Sequence, residues 1–84
     1  MDISEIEAKI KRIISKSTRL RPEEIESGLD FHTALGVDSL AVLEIVLSVD
    51  QEFNTDFSEQ ELRQMDSVDK AVQMVSASLI AIGG

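Results

Sequence analysis

Between Ser39 and Phe53 the apolar residues fall on two different faces of one helix, and the one core of a chain of 84 residues cannot easily cover both. At about 100° per residue, Val42, Ile45, Val46, Val49 and Phe53 lie within about 100° of one another, a stripe wide enough to face a core. Leu40, Leu43 and Leu47 form a second stripe centred about 130° away, with Glu44 and Asp50 on its flanks. A domain of this size buries only about 60–65% of its unfolded surface. One stripe must therefore be core. The other is a surface rimmed by acids, suited to a partner protein, or it is covered in part by the preceding loop, with Leu40 packed beneath it.

The rest of the chain carries the same period. Ile3, Ile6, Ile10, Ile13 and Ile14 recur at helical spacing, and Asp2 with Glu5 forms a capping box, which predicts a first helix over 3–16. From Ser17 to Asp38 the pattern loosens around Pro22, Gly28 and Gly36. Leu20, Ile25, Leu29, Phe31 and Leu35 make this a long loop packed on the core, with a helical turn near 22–27. Ser58 and Glu61 form a second capping box, with Phe57 and Leu62 at staple positions, predicting a short helix over 59–64. Asp66 or Ser67 then caps a last helix striped by Val68, Ala71, Val72, Val75, Leu79 and Ile82. Alternation is absent throughout. The expectation is an all-α, four-helix up-down bundle in one domain, 1–84, with a long loop between helices one and two and a short third helix.

Charge narrows the functional classes. The net charge is −8, yet residues 1–21 hold six bases against three acids, leaving thirteen acids and two bases for the remainder. An acidic surface repels phosphate backbones and attracts Lys- and Arg-rich partners, so nucleic acid is not expected. With no cysteine there are no disulfides or thiol nucleophiles. No stretch is long and apolar enough to span a membrane and no signal peptide opens the chain, so a cytoplasmic monomer is expected. His32, the sole histidine, lacks serine and acid partners at catalytic spacing and reads as a loop residue.

The string Leu35-Gly36-Val37-Asp38-Ser39-Leu40 stands where the loop becomes the second helix. Gly36 permits a tight turn, Asp38 can cap the helix, and Ser39 sits in the first turn, where free amides and the helix dipole favour an anionic substituent. This string resembles the phosphopantetheine attachment motif of the acyl carrier protein family, and the resemblance extends over nearly the whole chain. It implies a non-catalytic carrier holding acyl groups as thioesters on a covalent 4'-phosphopantetheine arm at Ser39. A holo-acyl-carrier-protein synthase or other phosphopantetheinyl transferase would install the arm from coenzyme A with magnesium, and Asp38 would assist at that metal. No resident metal is implied. The resemblance also implies that acyl-transferring and synthase enzymes with basic patches read Leu40, Leu43, Glu44, Leu47, Asp50 and Glu52.

Four positions depart from common fatty-acid-synthesis members: Ala41 replaces a frequent acid, Gln51 interrupts an acidic cluster, and Phe57-Ser58 replaces a frequent Ile-Pro. Fatty-acid synthesis and a specialised lipid or secondary-metabolite pathway both stay open. A peptidyl or aminoacyl carrier shares the fold and the serine arm, although Asp38 favours the acyl type. Asp50, Glu52, Asn54, Asp56, Ser58 and Glu61 match the ligand spacing of a calcium-binding EF-hand loop, but Thr55 stands where that loop needs glycine. Gly83-Gly84 is the ending used by sulfur carriers and ubiquitin-like proteins, which are β-grasp folds and not helical bundles.

Overall fold

The computed structural model describes residues 2–28, 30–31 and 39–83. Four α-helices and one short 3-10 turn account for the regular structure among them. Helix α1 runs Ile3–Ser17, α2 Ser39–Glu52, α3 Glu59–Gln64 and α4 Val68–Gly83, with the 3-10 turn at Pro22–Glu24 between α1 and α2. This is the expected helical bundle. The loop turn is shorter than the span 22–27 suggested, because Ile25 leaves helical geometry and turns inward, where it is 2% exposed.

The core is one continuous cluster in which each helix contributes its stripe. Ile6, Ile10 and Ile14 come from α1, Val42, Ile45, Val46 and Val49 from α2, Leu62 from α3, and Val68, Ala71 and Val75 from α4. Phe53 closes the α2 stripe just beyond the helix end, and Met65 fills the join between α3 and α4. Ile13, Val72 and Leu79 pack at its margin. Ile3 does not join it. At the first position of α1 it is 60% exposed, so the isoleucine periodicity overstates the core by one residue at the helix start. Ile82 lies where side chains are outside the description.

The start and stop signals are made by identifiable bonds. Asp2 Oδ1 accepts from the Glu5 amide at 3.0 Å, the forward half of the expected capping box. At α3 both halves form: the Glu61 amide donates to Ser58 Oγ, and the Ser58 amide donates to the Glu61 carboxylate, each at 3.1 Å. Ser67, rather than Asp66, caps α4, its hydroxyl oxygen accepting from the Lys70 amide at 3.1 Å.

The loop after α1 is fixed to the start of α4. The Phe31 amide donates to the Asp66 carbonyl at 2.8 Å, and the Asp69 amide donates to the Ser27 carbonyl at 2.9 Å. These bonds satisfy backbone groups that a packed loop would otherwise leave unpaired. They hold Phe31, which is fully buried, over the core as the apolar content of the loop required. Leu20 is partly buried against the same cluster, while Leu29 and Leu35 lie outside the described residues.

Candidate functional site

Ser39 is the first residue of α2, a helix of fourteen residues with no acid in its first turn. The first turn of a helix presents amides without intrahelical partners and the positive end of the macrodipole. No first-turn carboxylate competes there, so the position suits a serine that bears a phosphodiester. Leu40 follows at 71% exposure, which places this end of α2 at the molecular surface. Leu35, Gly36, Val37 and Asp38, and with them the aspartate expected to assist at magnesium, lie outside the described residues, as does His32.

The two stripes of α2 separate as the helical wheel requires. Val42, Ile45, Val46, Val49 and Phe53 are all buried, whereas Leu40, Leu43 and Leu47 are exposed. Leu40 is not packed under the loop. Three of the four exposed large apolar side chains of the described residues thus share one face of one helix. Glu44 is exposed beside them and forms no ion pair with a described residue.

Asp50 and Glu52 are placed differently from one another and from Glu44. Asp50 is half-buried, and its Oδ1 accepts from the Phe57 amide at 3.2 Å and from the Thr55 hydroxyl. The Thr55 amide donates to the Asp50 carbonyl at 3.1 Å and the Asn54 amide to the Gln51 carbonyl at 3.2 Å, the paired bonds of a Schellman cap. Asn54 supplies the left-handed residue such a cap needs, with φ 52°. Asp50 therefore ties the end of α2 to the turn before α3. The stretch with EF-hand spacing is a helix cap followed by a helix start, and among the described residues no group of three His, Asp or Glu side chains could hold a metal ion.

Glu52 is exposed on the flank of α2 that faces α1. It lines a 330 Å³ groove with Ile13, Lys16 and Ser17 of α1 and Ser48 and Gln51 of α2. The expected partner residues thus form a connected set of Leu40, Leu43, Glu44 and Leu47, with Asp50 and Glu52 around two different edges. The helical wheel carries this signal, since Glu52 lies nearer to Ile45 than to the leucines. The structural task of Asp50 depends on Asn54 adopting positive φ and carries no sequence signal beyond the residue type.

Residues 8–75 match the family model described as phosphopantetheine attachment site. The chain is 28% identical to the acyl carrier protein of Buchnera aphidicola subsp. Schizaphis graminum over 74 residues, covering 88% of this chain and 94% of that one. The solved acyl carrier protein of Enterococcus faecalis superposes with a TM-score of 0.77 at 27% identity, covering 93% of this chain and 99% of the other. The HMG-ACPI domain from the CurA module of Lyngbya majuscula superposes with a TM-score of 0.82 over 99% of this chain and 83% of that one, a likeness of fold at 20% identity. A family match over most of the chain, joined to an all-helical bundle with the motif serine opening α2, makes this chain a member of the phosphopantetheine-binding acyl carrier family, whose members are carriers bearing 4'-phosphopantetheine and not enzymes.

Proposed function

We propose that Ser39 is the residue that carries the 4'-phosphopantetheine arm, and that the arm holds acyl intermediates as thioesters. The single observation supporting this assignment most is the position of Ser39 as the first residue of α2, within the motif Gly36-Val37-Asp38-Ser39-Leu40. The first-turn amides of α2 would stabilise the phosphodiester, and Asp38 would assist magnesium while the transferase acts. When bound, the arm supplies a terminal thiol that forms and releases thioesters. The chain itself presents the arm and offers its partners a surface.

The partner surface is Leu40, Leu43, Glu44 and Leu47, extended at its edges by Asp50 and Glu52. The exposure of the three leucines supports an apolar anchor, and the exposed charge of Glu44 supports steering toward basic patches on a holo-acyl-carrier-protein synthase, another phosphopantetheinyl transferase and acyl-processing enzymes. The continuous core supports a single domain over 1–84; a cytoplasmic monomer is the state in which we place it. The cargo is acyl rather than peptidyl, in fatty-acid synthesis or a specialised lipid or secondary-metabolite pathway. The departures at Ala41, Gln51 and Phe57-Ser58 support the specialised pathway.

Intact mass after co-expression with a phosphopantetheinyl transferase tests the attachment. The expected result is a gain of one phosphopantetheine in the wild-type chain and none in Ser39→Ala. A gain that persists in Ser39→Ala moves the arm to another residue. Incubation of the holo chain with a malonyl transferase of fatty-acid synthesis separates the pathways: efficient loading favours fatty-acid synthesis, and refusal favours a specialised enzyme set.

A further inference from the structure

The second charged face of this molecule is opposite in sign to the first. Lys9, Arg12 and Lys16 lie within about 60° of one another on the outer side of α1, spaced along about 10 Å of helix. Arg19 follows just beyond the helix end. Arg12, Lys16 and Arg19 are exposed and Lys9 is half-buried. The chain has sixteen acids, yet none of these four bases forms an ion pair with a described residue. The bases that are paired, Lys11, Arg21 and Arg63, each meet a glutamate within four residues in the sequence. Beside the stripe runs the groove with Ile13 and Lys16 on one wall and Ser48, Gln51 and Glu52 on the other. An apolar side chain at the edge of a charged stripe is the arrangement in which a partner gains both an anchor and a direction of approach.

We propose that the outer face of α1 is a docking surface for a discrete acidic patch on another protein, distinct from the leucine face of α2, which it approaches only at the Glu52 edge, and of opposite charge to it. Charge complementarity selects the sign of the occupant, and the neighbouring acids limit its size. Exposed Glu5 lies one turn before Lys9 on the same side of α1, and Glu52 lines the far wall of the groove. Both stand within about a Debye length of the stripe at physiological salt. A membrane or a nucleic-acid duplex continues its negative charge past the ends of the stripe and meets these acids. A protein helix or loop with a few carboxylates over about 10–15 Å can set them on the bases and one apolar side chain on Ile13 in the groove, with its charges on the side away from Glu52. Such a contact leaves the leucine face of α2 available, so the carrier can be held by one protein while another engages the arm.

The test is a titration of the isotope-labelled full chain, followed by amide chemical shifts, with a synthetic helical peptide bearing four glutamates and one leucine along one face. The expected result is shifts confined to Lys9–Arg19 and Ser48–Glu52, and affinity that falls at least about tenfold in Arg12→Glu/Lys16→Glu. Thermal melts of the double variant should match the wild type because both side chains are exposed; if they do not, Arg12→Gln/Lys16→Gln should weaken binding about threefold or more. No binding of the peptide, shifts elsewhere, or unchanged affinity in the folded variants would overturn the proposal. So would tighter binding to phosphatidylserine vesicles or to duplex DNA than to the peptide.

Discussion

Thr55 is buried to 9% exposure and donates its hydroxyl to both the carbonyl and the carboxylate of Asp50. Its removal leaves a half-buried carboxylate with one partner fewer, so Thr55→Val should cost about 1–2 kcal/mol despite its matched volume. Asp50→Asn keeps an acceptor in place and should cost less. Urea denaturation of the two variants measures both, and a Thr55→Val chain as stable as the wild type would show that the hydroxyl is not needed to close α2. Residue identity alone places Asp50 among the partner-facing acids and Thr55 as a departure from a calcium loop. Their joint task arises because Asn54 takes positive φ, a backbone event that follows from the cap as a whole. Ser58, Glu61 and Ser67 were legible for the opposite reason: their bonds span three residues, a distance a sequence pattern can record.

Helix α2 divides its apolar residues between the core and the surface, and the two halves should respond differently to truncation. Ile45 is fully buried, so Ile45→Ala removes packed atoms and leaves a cavity at a cost of about 2–5 kcal/mol. Leu47 is 42% exposed on the opposite side, and Leu47→Ala should shift stability far less while slowing transfer of phosphopantetheine to the chain. Glu44→Lys should slow the same transfer chiefly at low salt, where steering is strongest, with the difference closing as salt rises. Thermal melts and transfer rates against ionic strength check all three. Equal transfer rates in wild type, Leu47→Ala and Glu44→Lys would remove α2 as the recognition helix. Both faces were legible because the 3.6-residue period fixes direction without knowledge of the neighbours. Ile3 was not, because the same period gives no information about where the neighbouring helices end.

At the scale of the molecule, the loop that follows α1 is part of the bundle, and its attachment joins distant parts of the chain. The apolar content of the loop announced that it packs; the partners it would find depended on which helix start lay beneath it. The Ser27 hydroxyl donates to the Glu7 carboxylate while the Ser27 carbonyl accepts from Asp69, so one serine links α1, the loop and α4. The bond from Ser27 holds Glu7 below the ordinary carboxylate value, aided by Lys11 at 3.4 Å and opposed by partial burial. A carboxyl depressed in the folded state stabilises the fold above its unfolded value, and that contribution fades as pH falls through the folded value. Ser27→Ala should therefore lower stability by about 1 kcal/mol at neutral pH, or about 4–8 °C in Tm for a domain of this size. The gap between wild type and Ser27→Ala should narrow as pH falls through the ordinary carboxylate range and on through the lower folded value of Glu7, where its charge is lost in both. Melts of wild type, Ser27→Ala and Glu7→Gln from neutral pH to about pH 3 check it. A gap that stays constant over that range would mean that the Ser27 hydroxyl acts independently of the charge on Glu7, and no gap at any pH would leave Ser27 acting through its backbone bond to Asp69 alone. A gap that closes in step with that of Glu7→Gln would assign the acid-sensitive part of the stability to this one tie between helix and loop.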